Sequence, residues 1–301
     1  MSYKLSRIRG AMYGVAVGDA LGAPLEFMDA ASIQAMHGTV RDMIGGGWLA
    51  VRPGEFTDDT QMTLAVAHGI VEAPADPIRA IGRRFVEWAN GGPKDIGATC
   101  AASIREAIRM AADKAEPSAF IWEQAAEAAH AMLNGKTAGN GSLMRTAYVG
   151  LYYQNELESI QKAWRISKMT HFDDQAAELC AVYTSLINKM AKESRLRDRK
   201  KILLYGGVCG MEYAGFEPRP TGYVVDSFEA ALYCVYTTNS FEEAVIKAVN
   251  LGGDADTIGA ITGGLAGALY GFEAIPERWT KSLSPEVCAE IDELCEIAVK
   301  Q

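Results

Sequence analysis

Two stretches of this chain, Gly10-Ala11-Met12-Tyr13-Gly14-Val15-Ala16-Val17-Gly18 and Gly259-Ala260-Ile261-Thr262-Gly263-Gly264-Leu265-Ala266-Gly267-Ala268, read as helix although both are rich in glycine. Each glycine inside a helix costs about 1 kcal/mol relative to alanine. Helices of this kind are tolerated where backbones pack closely. Close packing alone accounts for them, and so does a site built where helix ends converge.

Helix punctuation recurs along the rest of the chain. Asp76-Pro77 reads as an N-cap followed by proline at the first helical position, with the helix running to Trp88 and ending at Asn90-Gly91-Gly92-Pro93. Ser240-Phe241-Glu242-Glu243 has the spacing of a capping box, and Ser284-Pro285 opens a last amphipathic helix. Further helical patterns cover about Lys4 to Asp19, Asp58 to Glu72, Asp95 to Ala112, Ser118 to Leu133, Ser142 to Tyr153, Glu156 to Lys168, Phe172 to Lys192 and Asp226 to Tyr236. Only Gly222-Tyr223-Val224-Val225 suggests an extended piece. Strands do not alternate with helices, so an all-α fold is expected rather than a doubly wound sheet. No Ser- or Pro-rich linker divides the chain, which reads as one domain over 1–301.

With 49% hydrophobic and 22% charged residues the composition is that of a soluble globular protein. The net charge of −9, from 38 acids and 29 bases, argues against a nucleic-acid surface or a polybasic membrane face. No apolar run approaches the length needed to span a bilayer, and the N-terminus has no apolar export segment. The six cysteines, at 100, 180, 209, 234, 288 and 295, show no CxxC spacing and read as reduced, mostly buried thiols of a cytoplasmic protein. The basic run Arg195 to Lys201 reads as an exposed helix or loop.

The chemistry concentrates in two acidic runs, Phe56-Thr57-Asp58-Asp59-Thr60 and Gly252-Gly253-Asp254-Ala255-Asp256-Thr257. Each lies where a loop gives way to an apolar periodic stretch, so the carboxylates project from a helix start. Asp and Thr are favoured there as caps. A cap needs one carboxylate, however, and four together repel one another unless a cation lies among them. Oxygen-only ligands suit a hard divalent ion, and the absence of His or Cys disfavours zinc. An EF-hand is excluded because Ile258 and Leu265 would occupy positions that require oxygen ligands. Asp58-Asp59-Thr60-Gln61-Met62 also lacks the last aspartate of a DDxxD motif. Two such runs meeting in space would resemble a two-metal centre. Five acids around it, Glu26, Asp58, Asp59, Asp254 and Asp256, would face the four charges of two divalent ions.

Other segments carry weaker signals. Gly18-Asp19-Ala20-Leu21-Gly22-Ala23-Pro24-Leu25-Glu26-Phe27 sets Glu26 between apolar neighbours after a Gly/Pro turn, a setting for a proton carrier as well as for an exposed loop glutamate. Gly139-Asn140-Gly141-Ser142-Leu143-Met144-Arg145 puts small residues before a helix, where free N–H groups can hold a phosphate with Arg145 nearby. His171, in Thr170-His171-Phe172-Asp173-Asp174, reads as a capping residue, and Asp95, in Pro93-Lys94-Asp95-Ile96-Gly97, as an ordinary N-cap. His37, His68 and His130 have no ligand-like spacing.

Taken in order from residue 14 to about 271, the motifs around Glu26, Asp58, Asp95, Asn140 and Asp254 closely resemble those of the ADP-ribosylglycohydrolase family. The resemblance implies a compact all-α domain with two divalent cations, Mg²⁺ or Mn²⁺, in a cleft. It implies Thr57, Asp58, Asp59, Asp254, Asp256 and Thr257 as metal ligands, Glu26 on a mobile flap, and Asp95 beside the reacting ribose, with Glu26 or Asp95 managing the proton. Asn140, Gly141 and Ser142 would surround ribose and pyrophosphate, His171 would flank the substrate, and Tyr223 would stack on adenine. The implied reaction is hydrolysis of the bond between ADP-ribose and a protein arginine, releasing ADP-ribose from a modified protein, with a monomeric enzyme. Another ADP-ribosyl linkage, to serine, a nucleobase or a small molecule, is the enzymatic alternative. A regulatory module that binds ADP-ribose without cleaving it is the non-enzymatic one.

Overall fold

The computed structural model describes residues 2–111, 116–195, 198, 201 and 215–301. Among them are α1 (Tyr3–Gly22), α2 (Ala30–His37), α3 (Asp58–Glu72), α4 (Ile78–Asn90), α5 (Ala98–Ala111), α6 (Ala119–Met132), α7 (Ala147–Tyr152), α8 (Glu156–Ser167), α9 (Asp174–Lys192), α10 (Val224–Tyr236), α11 (Phe241–Val249), α12 (Ala255–Tyr270), α13 (Glu277–Thr280) and α14 (Pro285–Val299). Short 3-10 turns cover Ala23–Leu25, Asn140–Ser142 and Phe272–Ala274. The described residues contain no strand, and their β-type pairs are three isolated bridges, Asp29 with Gly252, Gly46 with Val51 and Gly139 with Tyr223. The fold is all-α, as expected. No helix of the described residues is long and apolar enough to cross a membrane.

The two glycine-rich stretches explain the centre of the molecule. They are α1 and α12, packed antiparallel with glycines in register, Gly10 against Gly267, Gly14 against Gly263 and Gly18 against Gly259. A Cβ at Gly14 would lie 2.1 Å from the Gly263 carbonyl oxygen, and one at Gly263 would lie 1.9 Å from that of Gly14. Backbone meets backbone, so no side chain fits between. Both helices are buried over most of their length, with α3, α9 and α14 against α1 and with α9, α10 and α11 against α12. Gly263→Ala is therefore expected to destabilise the fold by about 1–3 kcal/mol through overpacking, despite the better helix propensity of alanine. Urea denaturation midpoints of the two proteins check this.

Local signals hold at several helix ends. Ser118 and Ser284 accept from Ile121 N and Val287 N, each at 3.3 Å. Ser240 Oγ accepts from Glu243 N at 3.1 Å, whereas Glu243 Oε2 reaches past the cap to Asn239 N at 2.9 Å. Four expectations need correction. Pro77 itself occupies the N-cap of α4, and Asp76 instead pairs with Arg165 at 3.0 Å. Helix α9 is capped by Asp173, not by His171. The stretch from Ser142 to Tyr153 divides into a 3-10 turn and α7, and the segment at Gly222–Val225 supplies one bridge residue before α10 begins at Val224. Cys100, Cys180, Cys234, Cys288 and Cys295 are free thiols, all buried except the half-buried Cys288. Cys209 and most of the basic run from Arg195 to Lys201 lie outside the described residues.

Candidate active site

Because α1 and α12 run antiparallel, the C-terminal end of α1 arrives at the N-terminal start of α12. The chain after α1 then carries Glu26 to that junction and is tied there. Phe27 N donates to Gly253 O and Gly253 N donates to Met28 O, both at 2.7 Å. Gly252 and Gly253 turn the chain into α12 with φ of +73° and +62°, a conformation that L-residues rarely adopt. A Cβ at Gly253 would also lie 1.8 Å from Pro220 O. The segment expected to be a mobile flap is thus hydrogen-bonded on either side of Glu26's neighbour.

The start of α3 is held by a residue that the sequence reading did not single out. Thr57 occupies the N-cap without a side-chain capping bond. In its place the fully buried carboxylate of Asp19, from α1, accepts from Thr57 N and Thr60 N at 2.9 Å each. It also accepts from the hydroxyls of Thr57 at 2.9 Å and Thr60 at 2.5 Å. Burial raises the Asp19 pKa to about 6, opposed by the bonds from Thr60 and Thr57. A lone acid in the apolar C-terminal half of α1 was the available signal, since such a group must find partners.

With capping done by Asp19, the acids of α3 are free to face α12. Asp254, at the N-cap of α12, likewise makes no capping bond, and its Oδ2 accepts from Asn140 Nδ2 at 2.7 Å. The capping explanation of the acidic runs is therefore set aside for both. Oxygens of Glu26, Asp254 and Asp256 lie within 4.8 Å of one another. Asp59 Oδ2 accepts from Thr257 Oγ1 at 3.3 Å, and Thr57 Oγ1 lies 3.4 Å from both Asp59 Oδ2 and Asp256 Oδ2. Asp58 lines the same cleft as Glu26, Asp254 and Asp256 and completes the group. The two runs, about two hundred residues apart, thus form one cluster.

Its electrostatics are those of a site short of positive charge. Burial, with repulsion from neighbouring acids, raises Asp58 to about 7 and holds Asp59 and Asp256 well above the usual carboxylate range. Burial also lifts Glu26 to about 8, opposed by the indole N–H of Trp48, which donates to Oε2 at 2.7 Å. Burial raises Asp95 as well. Asp59 Oδ1 is buried without a hydrogen-bond partner. An orphaned carboxylate oxygen among acids and threonine hydroxyls fits a hard divalent cation, which would satisfy it and relieve the repulsion.

Further lining comes from the turn Asn140–Ser142 and the chain before α9. Asn140 N donates to Gly222 O and Val224 N to Ala138 O, both at 3.0 Å, which docks this turn against α10. His171 is buried, with Nδ1 2.8 Å from Thr170 Oγ1. The Thr170 hydroxyl already accepts from Arg145 Nη2 at 2.7 Å, so its proton is available to Nδ1. That places the ring proton on Nε2, toward Gly139 and Gly141. Burial, then the Arg145 charge, lowers the His171 pKa to about 3, so the ring is neutral.

Arg145 corrects an expectation. It is fully buried, stacked over Phe85 with its guanidinium carbon 4.6 Å from the ring centroid, and is not among the residues lining the cleft. A guanidinium held by Thr170 and the Ile166 carbonyl supports His171 from behind instead of meeting an anion. Ser142 is also buried below the surface, accepting from Ser167 Oγ at 2.9 Å. Tyr223 stands outside the lining, partly exposed, with its hydroxyl donating to Gln175 Oε1. Asp95 is no cap. Helix α5 begins at Ala98, and Asp95 Oδ1 accepts from its own neighbour Ile96 N at 2.8 Å.

Between the walls lies a cleft of about 370 Å³. Glu26, Asp58, Asp95, Asp254 and Asp256 line it together with Asn140, Gly141 and His171. No lysine or arginine is among its described lining residues. The arrangement can hold hard cations, bind a polar ligand against the glycine-rich turn, and move a proton at Glu26 or Asp95.

Known proteins share this plan. The profile of the ADP-ribosylglycohydrolase family matches residues 1–301. An ADP-ribosyl-(dinitrogen reductase) glycohydrolase from Rhodospirillum rubrum is 31% identical over 293 residues, covering 95% of this chain and 92% of that one. The ADP-ribosylarginine hydrolase Tri1 of Serratia proteamaculans is 32% identical over 292 residues, covering 94% of this chain and 76% of its own. A solved structure titled ADP-ribosylglycohydrolase-related protein complex superposes with a TM-score of 0.80 at 30% identity, over 100% of this chain and 99% of that one. An all-α fold whose acidic helix starts meet at one cleft, matched end to end by that profile, establishes that this chain belongs to the ADP-ribosylglycohydrolase family.

Proposed function

We propose that this protein hydrolyses the N-glycosidic bond between ADP-ribose and a modified arginine of a protein, reversing mono-ADP-ribosylation. The observation that carries the reading is the cleft itself. Five acids line it, three of them from two helix starts, together with a small-residue turn, and no cationic side chain is among its described lining residues to compete with a guanidinium. The name of the relative from Serratia proteamaculans agrees with an arginine linkage, and that of the relative from Rhodospirillum rubrum with an ADP-ribosylated protein as substrate.

In this reading Thr57, Asp58, Asp59, Asp254, Asp256 and Thr257 hold two divalent cations, Mg²⁺ or Mn²⁺. When bound, such ions supply Lewis-acid stabilisation at ribose oxygens and make a water more acidic. The remaining work falls to the chain. Asn140 Nδ2 steadies Asp254 and, on its other side, donates to Ser227 Oγ at 2.8 Å. Gly139 and Gly141 leave room for ribose and pyrophosphate against His171, whose neutral ring offers Nε2–H as a donor. Cleavage at ribose C1 builds positive charge, which the surrounding carboxylates stabilise. Glu26 has Oε2 engaged by Trp48, so Oε1 is the atom that takes the proton of the attacking water. Asp95 keeps Oδ2 for the developing charge at the ribose.

The test incubates a peptide mono-ADP-ribosylated on arginine with the purified chain and either Mg²⁺ or Mn²⁺. Release of free ADP-ribose is expected, and no release with either ion would sink the reading. A panel of serine, nucleobase and small-molecule linkages fixes the preference.

A further inference from the structure

Two large aromatic side chains are left exposed beside Glu26: Phe27, which lines the cleft, and Trp48, which packs against it. Phe27 is 71% and Trp48 53% accessible, and their ring centroids are 5.4 Å apart at an interplanar angle of 40°. Their placement is built. Phe27 has φ of +64°, rare for a bulky residue, and this turns its ring outward directly after Glu26. Trp48 follows Gly45-Gly46-Gly47, all at positive φ, in a turn closed by the bridge from Gly46 to Val51. Gly47 lies against the Glu26 segment so closely that a Cβ there would be 2.7 Å from Pro24 Cα. The indole N–H is committed to Glu26, which leaves ring faces to meet a ligand.

We infer that Phe27 and Trp48 form a leaving-group subsite that takes the alkylguanidinium side chain of the modified arginine beside the acids that line the cleft. This rests on the proposed arginine linkage and deepens it. A planar, weakly hydrated cation stacks on aromatic faces and pairs with a carboxylate at the same time. Charge complementarity favours this occupant over a base tethered to a diphosphate, because Phe27 lines the cleft next to Glu26, the Trp48 indole donates to Glu26, and five acids with no lysine or arginine are among the described lining residues. The glycine-rich turn, with neutral His171, is left for the nucleotide.

Two measurements test the subsite. In the first, kcat/KM is compared on sequence-matched peptides ADP-ribosylated on arginine or on serine. Phe27→Ala is expected to lower the arginine-to-serine ratio about five- to thirty-fold, with ADP-ribose affinity by calorimetry within about two-fold of wild type, since the subsite lies beyond the nucleotide. An unchanged ratio, or a loss of ADP-ribose affinity that would place the pair under adenine, overturns the inference. In the second, the indole N–H resonance of Trp48, assigned with Trp48→Phe, is followed while N-acetyl-arginine amide or its uncharged isostere N-acetyl-citrulline amide is added with Mg²⁺ and ADP-ribose. A shift with arginine and not with citrulline is expected; equal responses, or none, overturn the subsite. The second readout needs no turnover. A selective shift without arginine-linkage hydrolysis keeps the subsite and removes the proposed reaction, and hydrolysis without a selective shift does the reverse.

Discussion

Asp256→Asn is expected to lower kcat/KM for release of ADP-ribose from an arginine-modified peptide by at least about a thousand-fold, equivalent to about 4 kcal/mol. Asp256 sits in the first turn of α12, buried, with Oδ1 accepting from Thr257 N at 2.9 Å and Oδ2 facing Thr57 Oγ1 at 3.4 Å. Its carboxylate meets those of Glu26 and Asp254 within 4.8 Å. Asparagine keeps the volume and an acceptor for Thr257 N, so the helix start survives while one of the clustered charges is lost. Affinity for Mn²⁺, read by electron paramagnetic resonance, should fall together with turnover. Thermal stability in a chelator should be unchanged or higher, because a source of repulsion has gone. Wild-type turnover in this variant would refute the ligand assignment, and loss of folding in chelator would mean that Asp256 is structural.

Removing divalent cations is expected to destabilise the protein, and more so as pH rises. Without metal, Asp19, Asp58 and Glu26 titrate at about 6, 7 and 8 in the folded protein, each above its ordinary value, chiefly through burial. Across this range the folded state binds more protons than the unfolded chain. Stability from these groups is therefore fully present below the ordinary carboxylate pKa of about 4 and is lost as pH rises through the folded values. Cation binding runs the other way, since it needs the carboxylates ionised and releases their protons. At a concentration about 100 times Kd, each ion adds about 2.7 kcal/mol, or about 4 °C in Tm for a chain of this length. The gap between Tm with Mn²⁺ and Tm with chelator should be small at about pH 5 and widest at about pH 8. A gap that narrows toward alkaline pH would contradict the cluster as the metal site.

Much of this was legible in the residues because the signals were local. Ser118, Ser240 and Ser284 cap the helices that their spacing announced. The excess of carboxylates over what capping needs pointed to a cation before any geometry was known, and the ordered motifs pointed to the family. The misreadings share one cause, which is that a polar residue near a helix start has several partners open to it. Arg145 looked like an anion ligand from its place after a glycine-rich turn, but the fold buries it over Phe85 and spends its donors on Thr170 and Ile166. Asp95 and His171 looked like caps, yet Asp173 caps α9 and Asp95 stands free of α5 at the cleft.

Periodicity, caps and ligand chemistry are properties of neighbouring residues, so the order of residues already specified an all-α chain with two acidic helix starts and glycine-rich helices suited to close contact. The meeting of those starts was decided in three dimensions. Only the antiparallel register of α1 on α12, set by glycines too small to keep the backbones apart, brings Glu26 to Asp254 and Asp256 and lets Asp19 cap α3 from another helix. The same packing leaves Trp48 over Glu26. Such contacts join residues tens to hundreds of positions apart, and no local preference encodes which distant partner a carboxylate will find.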